Sequence, residues 1–174
     1  MACILTNGRT VPCKSAVGGL KSVYFTDFGT LGDITITSFE ITAITGTPEL
    51  FQFDLKGDSS LETTVTSSRD NGTTFYESTL TLNFTFLDKD TQDELRLLAI
   101  ARPHIWVEDY NGNYFLLGKE NGAELTTGTF GTGAAMGDKS GYSLTFVATE
   151  KAAPDFTLAS VVTGATQGSQ ITPN

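Results

Sequence analysis

The feature that most constrains the fold is a regular alternation of apolar and polar side chains between Thr74 and Leu87. Successive side chains of a β-strand point to opposite faces, so this pattern predicts one long strand with a single buried face. The residues on the apolar face are Tyr76, Leu80, Leu82, Phe84 and Phe86. The opposite face is rich in threonine and nearly uncharged, which suits a surface against a neighbouring subunit or an enclosed channel. The strand propensity of threonine explains the same composition equally well.

Shorter alternating segments predict further strands, at residues 20–28, 33–45, 51–55, 61–67 and 142–148. The apolar positions change parity near Ser38, which indicates a bulge or a strand that changes faces. Residues 104–117 predict a hairpin that turns at Asn111-Gly112, because both residues accept a positive φ.

One segment is typical of a helix, because Thr91 is its only β-branched residue before Ile100 and because Leu95 and Leu98 lie at helical spacing. Thr91 and Glu94 would form a capping box, and Pro103 would end the helix. We therefore expect a mainly β protein: an antiparallel β-sandwich or barrel with one flanking α-helix at about residues 88–102.

The distribution of glycine and polar residues predicts the domain organisation. Residues 1–19 form an N-terminal arm, and residues 20–162 form a single β-rich domain that includes a long loop or hairpin at 44–73. Residues 121–141 contain repeated glycines and are expected to bend freely. Residues 163–174 have the composition of a flexible C-terminal tail.

The charge is negative overall and unevenly distributed. The chain of 174 residues has a formal net charge of −9, yet its first 21 residues carry Arg9, Lys14 and Lys21 and no acid. An acidic body argues against a protein that grips nucleic acid, since phosphate binding requires lysine and arginine. A basic arm on an acidic body suits head-to-tail docking between copies, although three charges can also arise by chance.

The sequence predicts no catalytic, cofactor or metal site, and we expect that the protein is not an enzyme. His104 is the only histidine, so a packed or surface role is favoured over catalysis. The acids between Asp88 and Glu94 could hold calcium, but the N-terminus of a helix explains them better. Cys3 and Cys13 could pair, but without a signal peptide two reduced thiols are expected. No segment has the length and apolarity of a membrane span.

Both ends of the chain resemble a known family. Residues 1–9, the Pro12-Cys13-Lys14 segment, residues 17–25, and residues 133–138 leading into 141–146 are similar to bacteriophage tail tube proteins. The resemblance implies a β-sandwich or barrel with one flanking helix. It also implies hexameric rings that stack into a tube, through whose acidic lumen DNA passes without specific binding. The protein would then lie in the virion tail, after assembly in the host cytoplasm, and would contact other tail or neck proteins.

On this reading a set of residues is expected to form contacts between subunits. They are Arg9, Lys14, Lys21, Phe51, Phe53, Glu62, Thr79, Thr81, Asn83 and Thr85. Another ring-forming tail component, such as a terminator, baseplate or hub adaptor protein, remains open because the same fold recurs there. A further alternative is a β-sandwich module that binds carbohydrate through Trp106, Tyr110 and Tyr114.

Overall fold

The computed structural model describes residues 7–11 and 13–172. Its strands are β1 Leu20–Thr26, β2 Ile34–Thr37, β3 Glu40–Ile44, β4 Glu49–Asp54, β5 Ser60–Ser68, β6 Thr73–Thr85, β7 His104–Asp109, β8 Tyr114–Leu117, β9 Glu124–Gly131, β10 Gly141–Glu150, β11 Asp155–Thr157 and β12 Thr166–Gln167. The helices are α1 Lys89–Leu98 and α2 Ala159–Thr163. The prediction of a mainly β protein is therefore confirmed.

The strands form two sheets. The larger, eight-stranded sheet has the order β12-β4-β1-β7-β8-β11-β3-β2, and the smaller, four-stranded sheet has the order β5-β6-β10-β9. The smaller sheet is antiparallel throughout. The larger sheet is mixed, because β11 pairs with β3 and β12 pairs with β4 in parallel.

The main core lies between the two sheets. Phe25 and Val107 of the larger sheet belong to the same buried cluster as Leu80, Leu82 and Phe146 of the smaller one. The alternation that predicted β6 is confirmed, since Leu80 and Leu82 are fully buried and Phe84 is 8% exposed. The prediction is wrong for Phe86, which lies beyond the end of the strand and is 72% exposed.

A second core lies on the other face of the larger sheet. Tyr24, Ile41, Trp106 and Leu116 are buried there together with Val162 of α2. The central strands β1 and β7 are consequently buried on both faces, which requires the larger sheet to curl around this second cluster. The sequence analysis predicted one helix, so α2 is an addition to the expected fold.

The predicted helix is present, but its cap lies at a different residue. Asp88 is the N-cap, and its Oδ2 accepts hydrogen bonds from the backbone N–H groups of Asp90 at 3.1 Å and Thr91 at 3.2 Å. The predicted capping box at Thr91 and Glu94 is therefore wrong by one turn. Asp88 is the better N-cap, because its extended backbone lets its carboxylate accept hydrogen bonds from the N–H groups of the first helical turn.

The change of parity near Ser38 coincides with a hairpin turn, and the expected bulge lies close by, at the register shift between Thr35 and Ile36 in the β2–β3 pairing. Ser38 and Phe39 form the tight turn of the β2–β3 hairpin, with φ values of 54° and 67°. Two consecutive residues with positive φ are typical of a type I′ turn, which usually holds asparagine and glycine. Because neither Ser38 nor Phe39 is asparagine or glycine, the turn could not be recognised from the sequence.

Three segments rich in glycine or polar residues contain strands, and the short strands predicted at 51–55 and 61–67 are confirmed among them. Residues 44–73, predicted as a long loop or hairpin, include β4, which pairs with β1 in the larger sheet, and β5, which forms a hairpin with β6. The glycine-rich residues 121–141 include β9, an edge strand of the smaller sheet. The C-terminal residues 163–174 include β12, so part of the predicted tail is anchored on β4.

Candidate assembly surface

A buried carboxylate connects β1 to β7. Glu108 is 5% exposed and accepts hydrogen bonds from Lys21 Nζ and Ser22 Oγ, both at 2.6 Å. Burial alone would raise the pKa of Glu108, but these hydrogen bonds and the charge of Lys21 hold its pKa below the ordinary value. Lys21, an expected subunit contact, therefore has an ionic partner within its own chain.

His104 is a packed residue, as the sequence favoured. Its Nε2 accepts a hydrogen bond from the Gly29 N–H at 3.0 Å, which leaves Nδ1 to donate to the Gly118 carbonyl at 2.6 Å. The ring stacks on Phe28, with 4.9 Å between centroids. Burial lowers the pKa of His104, so the imidazole is neutral near pH 7. Both nitrogens are engaged by backbone, which suits a structural role.

Metal-binding geometry is not seen in the described part of the chain. In residues 7–11 and 13–172, no three His, Cys, Asp or Glu side chains come together in a way that could hold an ion. The acidic cluster at 88–94 is accounted for by α1, since Asp88 caps the helix and Asp90 lies in its first turn. Cys13 is exposed and Cys3 lies outside the described residues, so their pairing stays open. None of the described helices has the length and apolarity needed to cross a membrane.

The aromatic residues proposed to bind carbohydrate do not form an exposed platform. Trp106 is fully buried and Tyr114 is 8% exposed, while Tyr110 is 48% exposed. Both buried rings belong to the second core. The expectation of a three-ring stacking surface is therefore wrong, because packing rather than sugar recognition explains two of its members.

The outward side of the smaller sheet is a broad hydroxyl-rich surface, which we call the threonine face. It consists of Ser60, Glu62, Thr64 and Thr66 of β5, Phe75, Glu77, Thr79, Thr81, Asn83 and Thr85 of β6, Ser143, Thr145, Val147 and Thr149 of β10, and Glu124, Thr127 and Thr129 of β9. The expected contact residues Glu62, Thr79, Thr81, Asn83 and Thr85 all lie on it. The structure thus brings half of the expected contact set onto one surface.

The side chains of the threonine face form rows across all of its strands. One row consists of Ser60, Thr81, Thr145 and Thr127 and presents only hydroxyl groups. The next row toward the β5–β6 turn consists of Glu62, Thr79, Val147 and Glu124, with an acid on each edge strand. Lys139 supplies a cation at the far end, where its Nζ donates to Asn83 Oδ1 at 2.5 Å. The charges within the face itself are acidic.

Both edges of the smaller sheet are long and open. β5 has 9 residues and β9 has 8, and each pairs with a strand on one side only. Monomeric proteins usually protect such edges with lysine, proline or very short strands, because an open edge pairs with other chains. Neither strand contains lysine or proline, although β9 has a β-bulge between its pairings with Thr145 and Phe146. These edges therefore have the chemistry of a surface that pairs with another β-strand.

The remaining expected contact residues lie elsewhere. Arg9 and Lys14 are exposed on the arm. Phe51 and Phe53 lie on β4, where Phe53 packs edge-on against Phe25 with 5.4 Å between centroids, and Phe51 lines a cleft with Phe53. The sequence analysis missed β9 as a partner edge, because its Thr and Gly residues hide the alternation. The threonines within residues 124–131 were the signal that could have revealed it.

No family model matches this chain, and neither the curated proteins nor the solved structures include a significant match to it. Inferences about function therefore rest on the geometry and on the resemblance of the sequence.

Proposed function

We propose that this protein is the structural subunit of a phage tail tube, in which copies join edge to edge into a ring and the rings stack into a channel for DNA. The observation that carries the proposal is the pair of open edges, β5 and β9, on the two sides of one hydroxyl-rich sheet. Two open edges in one sheet allow each copy to pair with a neighbour on either side. Repeated pairing of this kind closes a ring, which removes every open edge.

The size of such a ring fits the passage of DNA. Six copies of a four-stranded sheet supply 24 strands. At ~4.8 Å per strand, the backbone circumference is about 115 Å and the diameter about 37 Å. Strand tilt widens a closed barrel further. The bore then remains wider than a DNA duplex after the inward side chains are placed.

The chemistry of the threonine face suits the wall of that bore. Hydroxyl groups hydrate the surface without offering cations to phosphate, and Glu62, Glu77 and Glu124 add negative charge. Binding to the phosphate backbone needs lysine and arginine, so DNA would slide past this wall without adhering. In this arrangement the main core and α1 lie outside the wall and contact no DNA.

Related positions in a phage particle use the same kind of ring. A terminator, a baseplate component or a hub adaptor would form a single ring and bind different partners on its two sides. A tail tube subunit would instead stack on copies of itself and on other tail or neck proteins. The degree of stacking therefore separates these roles.

The proposal is tested by light scattering of the purified protein over a range of concentration and salt, with negative-stain images of the same fractions. We expect rings that stack into tubes, with a mass that rises in multiples of the ring. A single ring that never stacks would favour the terminator or adaptor role. A strict monomer at every concentration, with or without preformed rings added as seeds, would contradict the proposal.

A further inference from the structure

An apolar cleft borders one end of the threonine face and shares Asn83 and Thr85 with it. It has a volume of about 610 Å³ and opens between β4, the end of β6 and α1. Its apolar walls are Phe51, Phe53, Phe84, Phe86 and Leu98. Phe86 is 72% exposed and Phe51 is 37% exposed, so a single chain leaves this surface open to water. Contiguous exposed apolar surface of this kind marks an interaction site.

The C-terminal segment completes one side of the cleft. The Gly168 N–H donates to the Leu50 carbonyl at 2.8 Å, and residues 169–171 line the cleft beyond it. A Cβ at Gly168 would lie 2.5 Å from the ring of Phe51, so only glycine allows this close approach. The C-terminal segment is therefore anchored beside the cleft at Gly168.

The described part of the N-terminal arm has no such anchor before Val17. Among the described residues, those from 7 to 16 form no hydrogen bond to the body. The first such bond comes from the Val17 N–H, which donates to Asn111 Oδ1 at 3.0 Å. Sixteen residues beyond this point can reach on the order of 50 Å at ~3.3 Å each. The arm can therefore span the distance to another molecule.

The arm and the cleft are complementary in chemistry. Residues 2–5 read Ala-Cys-Ile-Leu, and the charges that follow before residue 17 are Arg9 and Lys14. The cleft combines its phenylalanine walls with the carboxylates of Asp54 and Glu94 and one cation, Lys56. An apolar end followed by basic residues thus matches an apolar cleft with an acidic excess.

We propose that the N-terminal arm of one copy docks in this cleft of a second copy, with residues 2–5 against the phenylalanine walls and Arg9 and Lys14 toward its acids. We take a second copy as the partner, because residues 7–11 and 13–16 of the arm stay exposed and form no hydrogen bond to their own body, although the arm is long enough to fold back. The inference rests on the proposed function only in that the partner is another copy of this chain. It assigns the contact between stacked rings to a defined site.

Disulfide trapping between two full-length variants tests this docking. The donor chain carries Cys13→Ser and keeps Cys3, and the acceptor carries Cys3→Ser, Cys13→Ser and Thr85→Cys. Thr85 is exposed and lines the cleft. A matched control acceptor carries Thr66→Cys instead, which is also an exposed threonine but lies on β5 outside the cleft. We expect at least tenfold more mixed disulfide with Thr85→Cys than with the control after mild oxidation.

Other outcomes overturn the docking. Equal yields from both acceptors mean random collision, and no mixed disulfide means that the arm does not reach the cleft. One chain that carries both Cys3 and Thr85→Cys should also prefer the intermolecular bond, and a concentration-independent internal bond would place the arm in its own cleft. Images of the same samples separate the two proposals. Tubes without the trapped disulfide leave the tail tube function standing, whereas trapped pairs without rings leave only the docking.

Discussion

The pairing of β5 with β9 of a neighbouring copy can be tested by adding like charges to the two edges. Thr64 is at the middle of the 9-residue β5, and Thr127 is near the middle of the 8-residue β9. Both side chains are exposed and lie on the threonine face. In any register that overlaps the two strands in full, these positions meet near the centre of the seam. The double variant Thr64→Lys/Thr127→Lys therefore places two cations at every seam.

The size of the repulsion follows from the geometry. Across a seam the two cations would lie ~5–10 Å apart, which costs ~0.4–3 kcal/mol per pair for effective dielectric constants between ~80 and ~20. Six seams multiply this to ~2–20 kcal/mol per ring. Within one chain the same positions are three strand spacings apart across the sheet and four residues apart along it, ~19 Å in all, which exceeds the ~8 Å Debye length at physiological salt. Folding should therefore change by less than ~0.5 kcal/mol, while ring closure is strongly weakened.

The assay is sedimentation or light scattering of wild type and variants at low and high salt, with urea unfolding as the control for stability. The double lysine variant should remain monomeric at low salt and recover partial assembly at high salt. The charge-swapped variant Thr64→Glu/Thr127→Lys should assemble at least as well as wild type. If the double lysine variant closes rings as readily as wild type at low salt, β5 and β9 do not meet.

Three further variants test the fold itself. Leu82→Ala removes a fully buried side chain between the sheets and should lower the free energy of unfolding by about 2–5 kcal/mol in urea titrations. Ser38→Asn/Phe39→Gly places the residues favoured at a type I′ turn where φ is positive, and should raise Tm by a few degrees in a calorimetric scan; an unchanged or lower Tm would contradict the strain. The pKa of His104 is lowered from 6.5 in the folded protein, so the unfolded chain takes up a proton first as pH falls. The free energy of unfolding should therefore fall below about pH 6.5, by up to ~1.4 kcal/mol per pH unit. His104→Gln should lose that part of the slope, and a parallel pH profile would show that His104 does not cause it.

Local patterns in the sequence predicted the strands and helices that face a core on one side and solvent on the other. The alternation of β6 could be recognised because Leu80 and Leu82 face a core while their neighbours face outward. The helix and the hairpin at Asn111-Gly112 were also predictable, since the helical spacing of Leu95 and Leu98, the stop at Pro103 and the turn signal are all local features of the sequence.

The arrangement of the sheets could not be read from local patterns. β1 and β7 are buried on both faces, so their apolar runs say nothing of which neighbour lies on which side. β4 and β5 are adjacent in the chain but belong to different sheets, a separation that only long-range pairing defines. The edge strand β9 is exposed along most of its length, so no core imposes an alternation on it.

The candidate surface was predictable only in part. The threonines of β6 revealed one strand of the threonine face, but its width depends on partners from β5, β10 and β9. The salt bridge between Lys21 and Glu108 could not be predicted, because Glu108 lies 87 residues away in the sequence and nothing near Lys21 indicates this partner. The cleft beside Phe51 is likewise assembled from three distant parts of the chain.

A cryo-electron microscopy reconstruction of the assembled protein tests the central claim most directly. The account predicts a closed ring in which β5 of each copy is hydrogen-bonded to β9 of the next, with Thr81, Thr145 and Thr127 facing a bore whose backbone diameter is at least about 37 Å. A map in which β5 and β9 remain apart, or in which α1 or the larger sheet lines the axis, would contradict it.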